Sequence, residues 1–302
     1  MAKHSMKEWM MAVRPWAYPA STMPIIVTIA YLAWTGQEVN LWAGLYALVN
    51  IILFHSAGNT WSDYKDFKKG VDNHDTYGQH TLTSGMFQPK EIKTLSLSLM
   101  ATGSLMGIGF LFICQHLYGE WLPLLWIGLG GLLSALIYPS SKYNALGDVT
   151  ILISYAILPM LGTSFVATGH IDWMTLLLAL PVGLITDGIL HTNNTRDVPT
   201  DAEASIKTLP MIIGHKASAI MYFTEMMVPY VWIGILSMAG IFPVWTVIIF
   251  LTFPVAIANG RTMMKSLRGG LELIGSLDIA TAQLQLIFSL LLTIGFVLGM
   301  IF

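Results

Sequence analysis

The sequence is poor in charged residues. Aspartate, glutamate, lysine and arginine make up 11% of the 302 residues, whereas hydrophobic residues make up 55% and the mean hydropathy is +0.65. A soluble domain of ordinary composition carries roughly 25% charged residues. The low charge therefore excludes an ordinary soluble protein and indicates an integral membrane protein with no separate soluble domain.

Cysteine and the common catalytic motifs are also scarce. The single cysteine, Cys114, cannot form an internal disulfide, so cysteine content does not identify the redox compartment. The sequence contains no Gly-x-Ser-x-Gly, no P-loop and no dinucleotide fingerprint, and its histidines lack zinc-ligand spacing. No basic tract suggests nucleic-acid binding. Residues Met1–Arg14 lack a cleavable signal pattern, so we expect the first apolar segment to act as an uncleaved signal.

Long apolar segments dominate the rest of the chain. A helix needs about 20 apolar residues to cross the hydrocarbon core. Nine segments meet this condition: Trp16–Gly36, Leu41–Trp61, Ile92–Cys114, Tyr118–Tyr138, Val149–Thr168, Trp173–Asn193, Ala217–Ala239, Ile241–Gly260 and Ile279–Phe302. The sequence therefore predicts an all-α protein in which residues 1–302 form one domain of nine transmembrane helices.

The basic residues predict the topology. All 15 lysines and arginines fall at the N-terminus or at the connections after the second, fourth, sixth and eighth spans. The other connections carry only acids, namely Glu38, Glu120 and Asp172. By the positive-inside rule, the N-terminus and the two long polar loops, Ser62–Glu91 and Thr195–Lys216, are cytoplasmic. We therefore expect the chemistry at the cytoplasmic side of the cell membrane.

The first polar motif follows the second predicted span and runs from Asn59 to Asp72. Asn59, Asp63 and Asp66 are spaced so that a continuing helix would place them on one face. Carboxylate oxygens suit Mg²⁺, which proteins usually hold with one or two carboxylates together with substrate phosphates. Lys68 would meet phosphate oxygens as a point charge. The alternative is a solvated loop, in which mixed charges are ordinary.

The second polar motif follows the sixth predicted span and runs from Asn193 to Lys207. Asp197 and Asp201 are four residues apart, so a helical backbone would present both carboxylates on one side. Pro199, between them, is tolerated only if it lies in the first turn of a helix. Two acidic motifs on the same side of the membrane favour a divalent-metal site over two solvated loops.

Further residues connect these motifs to a known family. They are Arg14-Pro15 before the first span, the Asn59–Asp72 motif, Leu82-Thr83-Ser84-Gly85, Tyr138-Pro139 with Lys142, Gly147-Asp148, and Asn193-Asn194-x-Arg196-Asp197-x-x-x-Asp201. Over essentially the whole chain, this pattern resembles the UbiA-type intramembrane prenyltransferases. The resemblance implies nine transmembrane helices around a central cavity, with two Asp-rich motifs at the cytoplasmic side.

One spacing points to a branch of this family. The usual first motif is Asn-Asp-x-x-Asp-x-x-x-Asp, but Thr60 and Phe67 replace two acids here and the third acid is Asp72. This longer spacing is similar to that of the 1,4-dihydroxy-2-naphthoate polyprenyltransferases of menaquinone synthesis, as is the Lys-Thr-Leu sequence at 207–209. Ser205-Ile206 stand where a glycine usually precedes that lysine.

The resemblance implies a Mg²⁺-dependent enzyme that transfers a polyprenyl group from an allylic polyprenyl diphosphate to 1,4-dihydroxy-2-naphthoate. The product would be demethylmenaquinone, formed with loss of diphosphate and CO2. The expected catalytic residues are Asp63, Asp72, Asp197 and Asp201, which would bind Mg²⁺ together with Asp66. The expected diphosphate ligands are Asn59, Lys68, Lys142, Asn194, Arg196 and Lys207.

Two alternatives stay open at this point: another aromatic or lipid acceptor used by the same fold, and an ion-coupled membrane transporter. A transporter would also have buried acids, and Asp187 and Glu225 lie within predicted spans. No role is assigned to these two acids or to His80.

Overall fold

The structure is a computed structural model that describes residues 4–72, 77 and 80–302. The first three residues, and residues 73–76, 78 and 79 of the predicted loop Ser62–Glu91, lie outside this description. Thirteen α-helices make up most of the described chain: α1 Met6–Val13, α2 Pro19–Trp34, α3 Leu41–Lys69, α4 Pro89–Tyr118, α5 Leu122–Lys142, α6 Gly147–Leu152, α7 Leu158–Thr168, α8 Leu176–Arg196, α9 Val198–Glu203, α10 Leu209–Ile213, α11 His215–Met238, α12 Phe253–Gly269 and α13 Leu277–Ile301. The described residues contain no β-strand, which confirms the all-α prediction.

Eight stretches of the described chain are long and apolar enough to cross a membrane: Leu41–Lys69, Pro89–Tyr118, Leu122–Lys142, Gly147–Thr168, Trp173–Arg196, His215–Met238, Val244–Gly269 and Leu271–Ile301. A ninth span is formed if the pair Met6–Ala17 and Pro19–Trp34, bent by 48°, crosses as one unit. These stretches correspond in order to the nine predicted spans.

Helix α1 ends at Arg14, shortly before the 48° bend between Ala17 and Pro19. Arg14 adopts a left-handed backbone conformation with φ of 55°, which ends α1, and Pro15 then begins a short 3-10 turn, Pro15–Ala17. A non-glycine residue rarely adopts this conformation, and such residues are concentrated at functional sites. The end of α1 therefore makes Arg14 a candidate functional residue.

Helix α3 continues beyond the predicted end of the second span at Trp61. It runs to Lys69 and ends only at Gly70, whose φ of 77° gives the left-handed C-cap that glycine favours. The polar residues after Trp61 therefore lie on a helix and not in a loop. The prediction of a loop from Ser62 is therefore wrong for the residues before Gly70. A drop in hydropathy marks the end of the apolar surface and not the end of the helix.

The fifth span contains a π-helical turn, Ile153–Ile157, between α6 and α7. Pro159 follows in the first turn of α7 and lacks the backbone N–H that would continue the α-helical pattern. A local widening into π-geometry is a known response to such an interruption. It rotates Ser154 and Tyr155 relative to the helix that follows.

Helix α8 lies at the centre of the bundle. The main packed cluster joins it to α2, α11 and α13 through Val182, Ile185, Met226 and Phe288, all fully buried. Small residues allow the close approach that packing in lipid requires. A methyl group at Gly183 would lie 2.9 Å from the Ala156 side chain, so α8 meets the π-helical turn almost backbone to backbone.

Candidate functional site

The first motif presents its polar groups along one face of α3. Asp63 and Asp66 are separated by one helical turn, and their side chains are only 9% and 8% exposed. Asn59 lies one turn earlier, and its Nδ2 is buried without a hydrogen-bond acceptor among the described residues. The predicted shared face is therefore present and points into the protein.

Arg14 neutralises the first of these carboxylates. Its Nη2 donates to Asp63 Oδ1 at 2.6 Å. Arg14 is the left-handed C-cap of α1 and precedes the first long span, so the contact joins the start of the chain to α3. The contact joins two spans at the same end of the bundle.

The second carboxylate, Asp66, is contacted by two residues at the end of α5, Lys142 and Tyr143. Lys142 Nζ lies 3.5 Å from Asp66 Oδ2, and the Tyr143 hydroxyl donates to Asp66 Oδ1. Lys69 lies over the Tyr143 ring, with its Nζ 5.0 Å from the ring centroid. The Lys142 charge also acts on Asp201 of the second motif, although the only ion pair that Lys142 forms among the described residues is with Asp66.

The second motif is organised by Arg196 at the end of α8. Its Nε and Nη2 donate to the two carboxylate oxygens of Asp197 at 2.7 and 2.9 Å. Its Nη1 lies 3.4 Å from Asp278 Oδ2 on α13, and its guanidinium carbon is 4.4 Å from the centroid of the Tyr77 ring. Arg196 is thus a buried junction between the motif and the last span.

Helix α9 carries Asp201 next to this junction. Pro199 lies in its first turn, where a proline is tolerated, and helix formation there places Asp201 on the inner side with 2% exposure. Asp201 Oδ2 has no hydrogen-bond donor among the described residues. This carboxylate oxygen is buried and available to a ligand.

The backbone joins the two motifs directly. The N–H of Lys207 donates to the Tyr143 carbonyl at 3.0 Å, and Asn144 and Lys207 form an isolated parallel bridge. Ser205, before this bridge, has a φ of 56°, a conformation that glycine adopts at lower cost. The missing glycine noted in the sequence is therefore replaced by a serine that accepts the strained backbone.

Burial shifts the acidity of two carboxyl groups beyond the spans. Burial, reinforced by the nearby Asp66 and Asp63 charges, raises the pKa of Asp72 to about 7. Burial raises the pKa of Asp201 to about 6, although the Lys142 ammonium opposes that shift. Both groups therefore titrate close to neutral pH, where a bound cation would compete with protons.

The remaining expected ligands differ in how far they reach the site. Asn194 is buried on α8. Lys68 is exposed, and its Nζ lies 5.8 Å from the centroid of the Tyr64 ring, not beside Asp66. The Lys207 side chain is exposed and only its backbone touches the site. The roles of all three in binding diphosphate stay predictions.

The acidic residues fit Mg²⁺ by their chemistry, although they do not form a finished cage. No three histidine, cysteine or acidic side chains in the described part of the chain are grouped so that they could hold a metal ion. Mg²⁺ needs only one or two carboxylates when phosphate oxygens supply further ligands. Asp63, Asp66, Asp72 and Asp201 offer such oxygens, and Arg14 and Lys142 balance their charge.

An apolar cavity of about 430 Å³ begins beside the first motif. Its walls come from α2, α3, α4, α5 and α7 with the π-helical turn, and its polar groups include Asn59, His55, Tyr138 and Tyr155. Along α3 the lining runs from Asn59 to Tyr46, which corresponds to about 20 Å of helix. At the far end the rings of Tyr46 and Phe110 stack with centroids 4.4 Å apart.

Sequence reasoning missed several of these contacts. The pairing of Arg14 with Asp63 is not predicted from the sequence, because a basic residue beside a span is ordinary. Tyr143, Lys69 and Asp278 carry no motif signal and reach the site through the packing of α5, α3 and α13. The sequence signal for Arg14 is the proline that follows it, because Pro15 disfavours a helical backbone at Arg14 and so favours the end of a helix there.

Comparison with known proteins identifies the family. A family model described as "UbiA prenyltransferase family" matches residues 22–269. "UbiA prenyltransferase domain-containing protein 1" of Xenopus tropicalis is 30% identical over 300 residues, covering 98% of this chain and 84% of that protein. The protein of the same name from Homo sapiens is 31% identical over 296 residues, covering 96% of this chain and 83% of that protein.

Solved structures share the fold. A UbiA homologue from Aeropyrum pernix K1 superposes with a TM-score of 0.70 at 16% identity, covering 95% of this chain and 98% of that one. A UbiA homologue from Archaeoglobus fulgidus, bound to GPP and Mg²⁺, gives a TM-score of 0.64 at 12% identity, covering 95% and 99%. The family model, the relatives and the shared fold together show that this chain belongs to the UbiA prenyltransferase family.

Proposed function

We propose that the protein transfers a polyprenyl group from an allylic polyprenyl diphosphate to an aromatic acceptor, 1,4-dihydroxy-2-naphthoate, at the cytoplasmic face of the cell membrane. The observation that carries the proposal is the juxtaposition of a charged site with the apolar cavity that starts at Asn59. A polyprenyl diphosphate has the same division, with an anionic head and an apolar tail.

The charged site would hold the diphosphate. Lys142 and Arg14 are positioned at its centre, and Lys69 lies at its edge over Tyr143. Mg²⁺, held by the carboxylates of Asp63, Asp66, Asp72 and Asp201, would supply charge stabilisation for the leaving diphosphate. Both carboxylate oxygens of Asp197 accept from Arg196, so Asp197 would join them only after exchanging that partner. The chain's own part is to orient the donor, so that its first carbon lies at the cavity mouth.

The reaction proposed is an electrophilic aromatic substitution. The allylic C–O bond breaks, and its electron pair leaves with the diphosphate. The ring carbon of the acceptor that carries the carboxylate forms a bond to the allylic carbon. The electrons of the ring–carboxylate bond then restore the aromatic ring as CO2 leaves. No nucleophile from the protein is needed, in agreement with the absence of a nucleophile motif in the sequence.

Aromatic side chains are suitably placed to stabilise the allylic cation. Tyr138 and Tyr155 line the cavity near Asn59, and the His55 and Tyr155 ring centroids are 5.1 Å apart. Aromatic faces attract positive charge, most strongly where water is excluded. These rings would protect the cation from water before the acceptor attacks.

The naphthoate acceptor rests on the sequence. The late acid Asp72 and the Lys207-Thr208-Leu209 segment are similar to the naphthoate branch. Burial and the charges of Asp66 and Asp63 raise the pKa of Asp72, which supports a place for Asp72 near the charged site despite its unusual spacing. The names of the relatives state no acceptor, so the acceptor must be decided by experiment.

The test is product formation in membranes that contain the protein. With a polyprenyl diphosphate, Mg²⁺ and 1,4-dihydroxy-2-naphthoate, mass spectrometry should detect demethylmenaquinol, together with the demethylmenaquinone that air oxidation forms from it, and EDTA should stop its formation. Asp63→Asn should lower the rate by about 100-fold or more, because loss of one group that stabilises transition-state charge has that effect. Glu120→Gln, a change at an exposed acid far along the chain, should leave the rate unchanged.

Each outcome has a distinct meaning. Product from another phenol or naphthol, but none from the naphthoate, would keep the transferase and overturn the acceptor. Full turnover in EDTA, or in Asp63→Asn, would overturn the site. Family membership gives no support to the transporter alternative, and a protein that formed no prenylated product from a panel of acceptors would revive it.

A further inference from the structure

A second polar group of residues lies inside the spans and takes no part in the proposed chemistry. We call Asp148, Asp187, His191 and Glu225 the buried acid cluster; they come from α6, α8 and α11. Their exposures are 3%, 1%, 0% and 3%. Ionisable residues at membrane depth are costly and are typically functional.

His191 and Asp148 form a self-contained pair. His191 Nδ1 lies 2.7 Å from Asp148 Oδ1, and His191 Nε2 lies 3.2 Å from the Ser218 carbonyl oxygen. A carbonyl oxygen can only accept, so Nε2 carries a proton. The Nδ1 contact contains another proton, whichever partner holds it, so the pair is neutral overall and His191 has no donor left for other acids.

Asp187 and Glu225 lack such a partner. None of their four carboxylate oxygens has a hydrogen-bond donor among the described residues, and neither forms an ion pair there. A methyl group built at Gly188 would lie 3.4 Å from Glu225 Oε2, so this carboxylate faces α8 next to Asp187. The two acids also interact electrostatically with each other.

An amide side chain from a third helix reaches the same depth. Tyr222 bonds Thr281 at 2.6 Å, and the Tyr230 and Phe288 ring centroids are 5.4 Å apart, so α11 and α13 run side by side in one direction. Gln285 lies between these two contacts, at the level of Glu225. It is 1% exposed, and neither its oxygen nor its nitrogen has a partner among the described residues.

We propose that Asp187, Glu225 and Gln285 bind one small monovalent cation, such as Na⁺. Ser289, one turn after Gln285, adds a buried hydroxyl without a partner among the described residues. Two uncompensated carboxylates in an apolar interior are strongly disfavoured, so one carboxyl group keeps its proton and the remaining single negative charge matches one monovalent cation. The nearby base, His191, is committed to Asp148. Amide and hydroxyl oxygens suit an alkali cation better than Mg²⁺, which gives up its water reluctantly.

The bound cation would tie α8, α11 and α13 together. Helix α8 carries the second motif at its C-terminal end, so the cation would stabilise the frame of the site without contacting substrate. This inference does not depend on the identity of the reaction, since it concerns folding stability and ion binding alone.

Thermal unfolding of the purified protein in detergent tests the proposal. EDTA is present throughout, and NaCl is compared with N-methyl-D-glucamine chloride at equal ionic strength. We expect a saturable rise in Tm with Na⁺ of about 3–6 °C at saturation. In Asp187→Asn and Glu225→Gln the rise should disappear, whereas the exposed-acid control Glu120→Gln should retain it.

Direct binding of ²²Na⁺ to the wild-type protein keeps the test decisive if the variants fail to fold. Binding close to one ion per chain, displaced by unlabelled NaCl and not by N-methyl-D-glucamine chloride, supports the site. Equal Tm in both salts together with no bound ²²Na⁺ would overturn it. The carboxyl groups would then hold only protons or water.

Discussion

The depth of the apolar cavity predicts which donors the enzyme accepts. Gly107 lines the cavity on α4, one turn before Phe110, whose ring stacks on Tyr46 at the far end. A methyl group at Gly107 would meet no atom within 4 Å, so a larger side chain can enter the cavity without displacing the helix. The change Gly107→Leu therefore fills the far end and leaves the charged site untouched.

The size of the effect follows from the area that the tail can bury. Leucine adds about four carbon atoms, and each buried methylene group contributes about 0.8 kcal/mol, so a long tail loses up to about 3 kcal/mol of binding. This corresponds to roughly a 100-fold loss, because 1.4 kcal/mol is about tenfold. A short tail that stops before Gly107 loses nothing.

The assay compares kcat/KM for geranyl diphosphate with that for a long polyprenyl diphosphate, using the same acceptor. In Gly107→Leu the long donor should lose up to roughly 100-fold relative to the short one. Ala101→Leu, at an exposed position on α4 outside the cavity lining, should leave the ratio unchanged. An unchanged ratio in Gly107→Leu would refute the reasoning, because the tail would then leave the cavity before its far end.

Two further predictions concern charge. Lys142→Met should lower kcat/KM by roughly 100- to 1,000-fold, because it removes the cation that pairs with Asp66 and whose charge acts on Asp201. Lys93→Met, at an exposed lysine, is the control. Equal kcat/KM in Lys142→Met and the wild-type protein would exclude a role for Lys142. The affinity for Mg²⁺, measured by calorimetry, should rise from pH 5.5 to 8 as Asp72 and Asp201 lose their protons. The free energy of unfolding of the metal-free protein should instead fall as pH rises from 3.8 to about 7, because the pKa of Asp72 is about 7 in the folded protein and 3.8 ordinarily. Asp72→Asn should weaken the pH dependence of both Mg²⁺ affinity and the free energy of unfolding. An unchanged pH dependence of either quantity would contradict its assignment to Asp72.

The helical architecture could be predicted from the sequence because membrane spans leave a strong signal. Nine apolar stretches and the distribution of lysine and arginine predicted the number and order of the spans. The end of α3 could not be predicted in this way. Hydropathy reports where a helix leaves the apolar layer, and the residues from Ser62 to Lys69 are polar yet remain helical up to Gly70.

The site was predicted only in part, for a different physical reason. Motif spacing identified the acids on α3 and α9, since periodicity along one helix is a local property. The partners of these acids come from elsewhere: Arg14 precedes the first long span, and Tyr143 follows α5. Such contacts depend on how spans pack together, which no local pattern encodes. The exposed position of Lys68 is the converse case, because proximity in sequence did not turn its side chain toward Asp66.

The charged residues of the site lie at the ends of helices and connect those helices to one another. Asp63 is bonded by Arg14, and Asp66 by Lys142 and Tyr143, which lie elsewhere in the chain. Arg196 links its neighbour Asp197 to Asp278 on α13. These contacts connect α3 to α5 and to the end of α1, and they connect α8 to α13. A buried carboxylate without its partner would be strongly destabilising, so these pairs also oppose any drift of the spans. The same residues that bind the diphosphate in the proposed reaction are thus those that set the geometry of the bundle at this end.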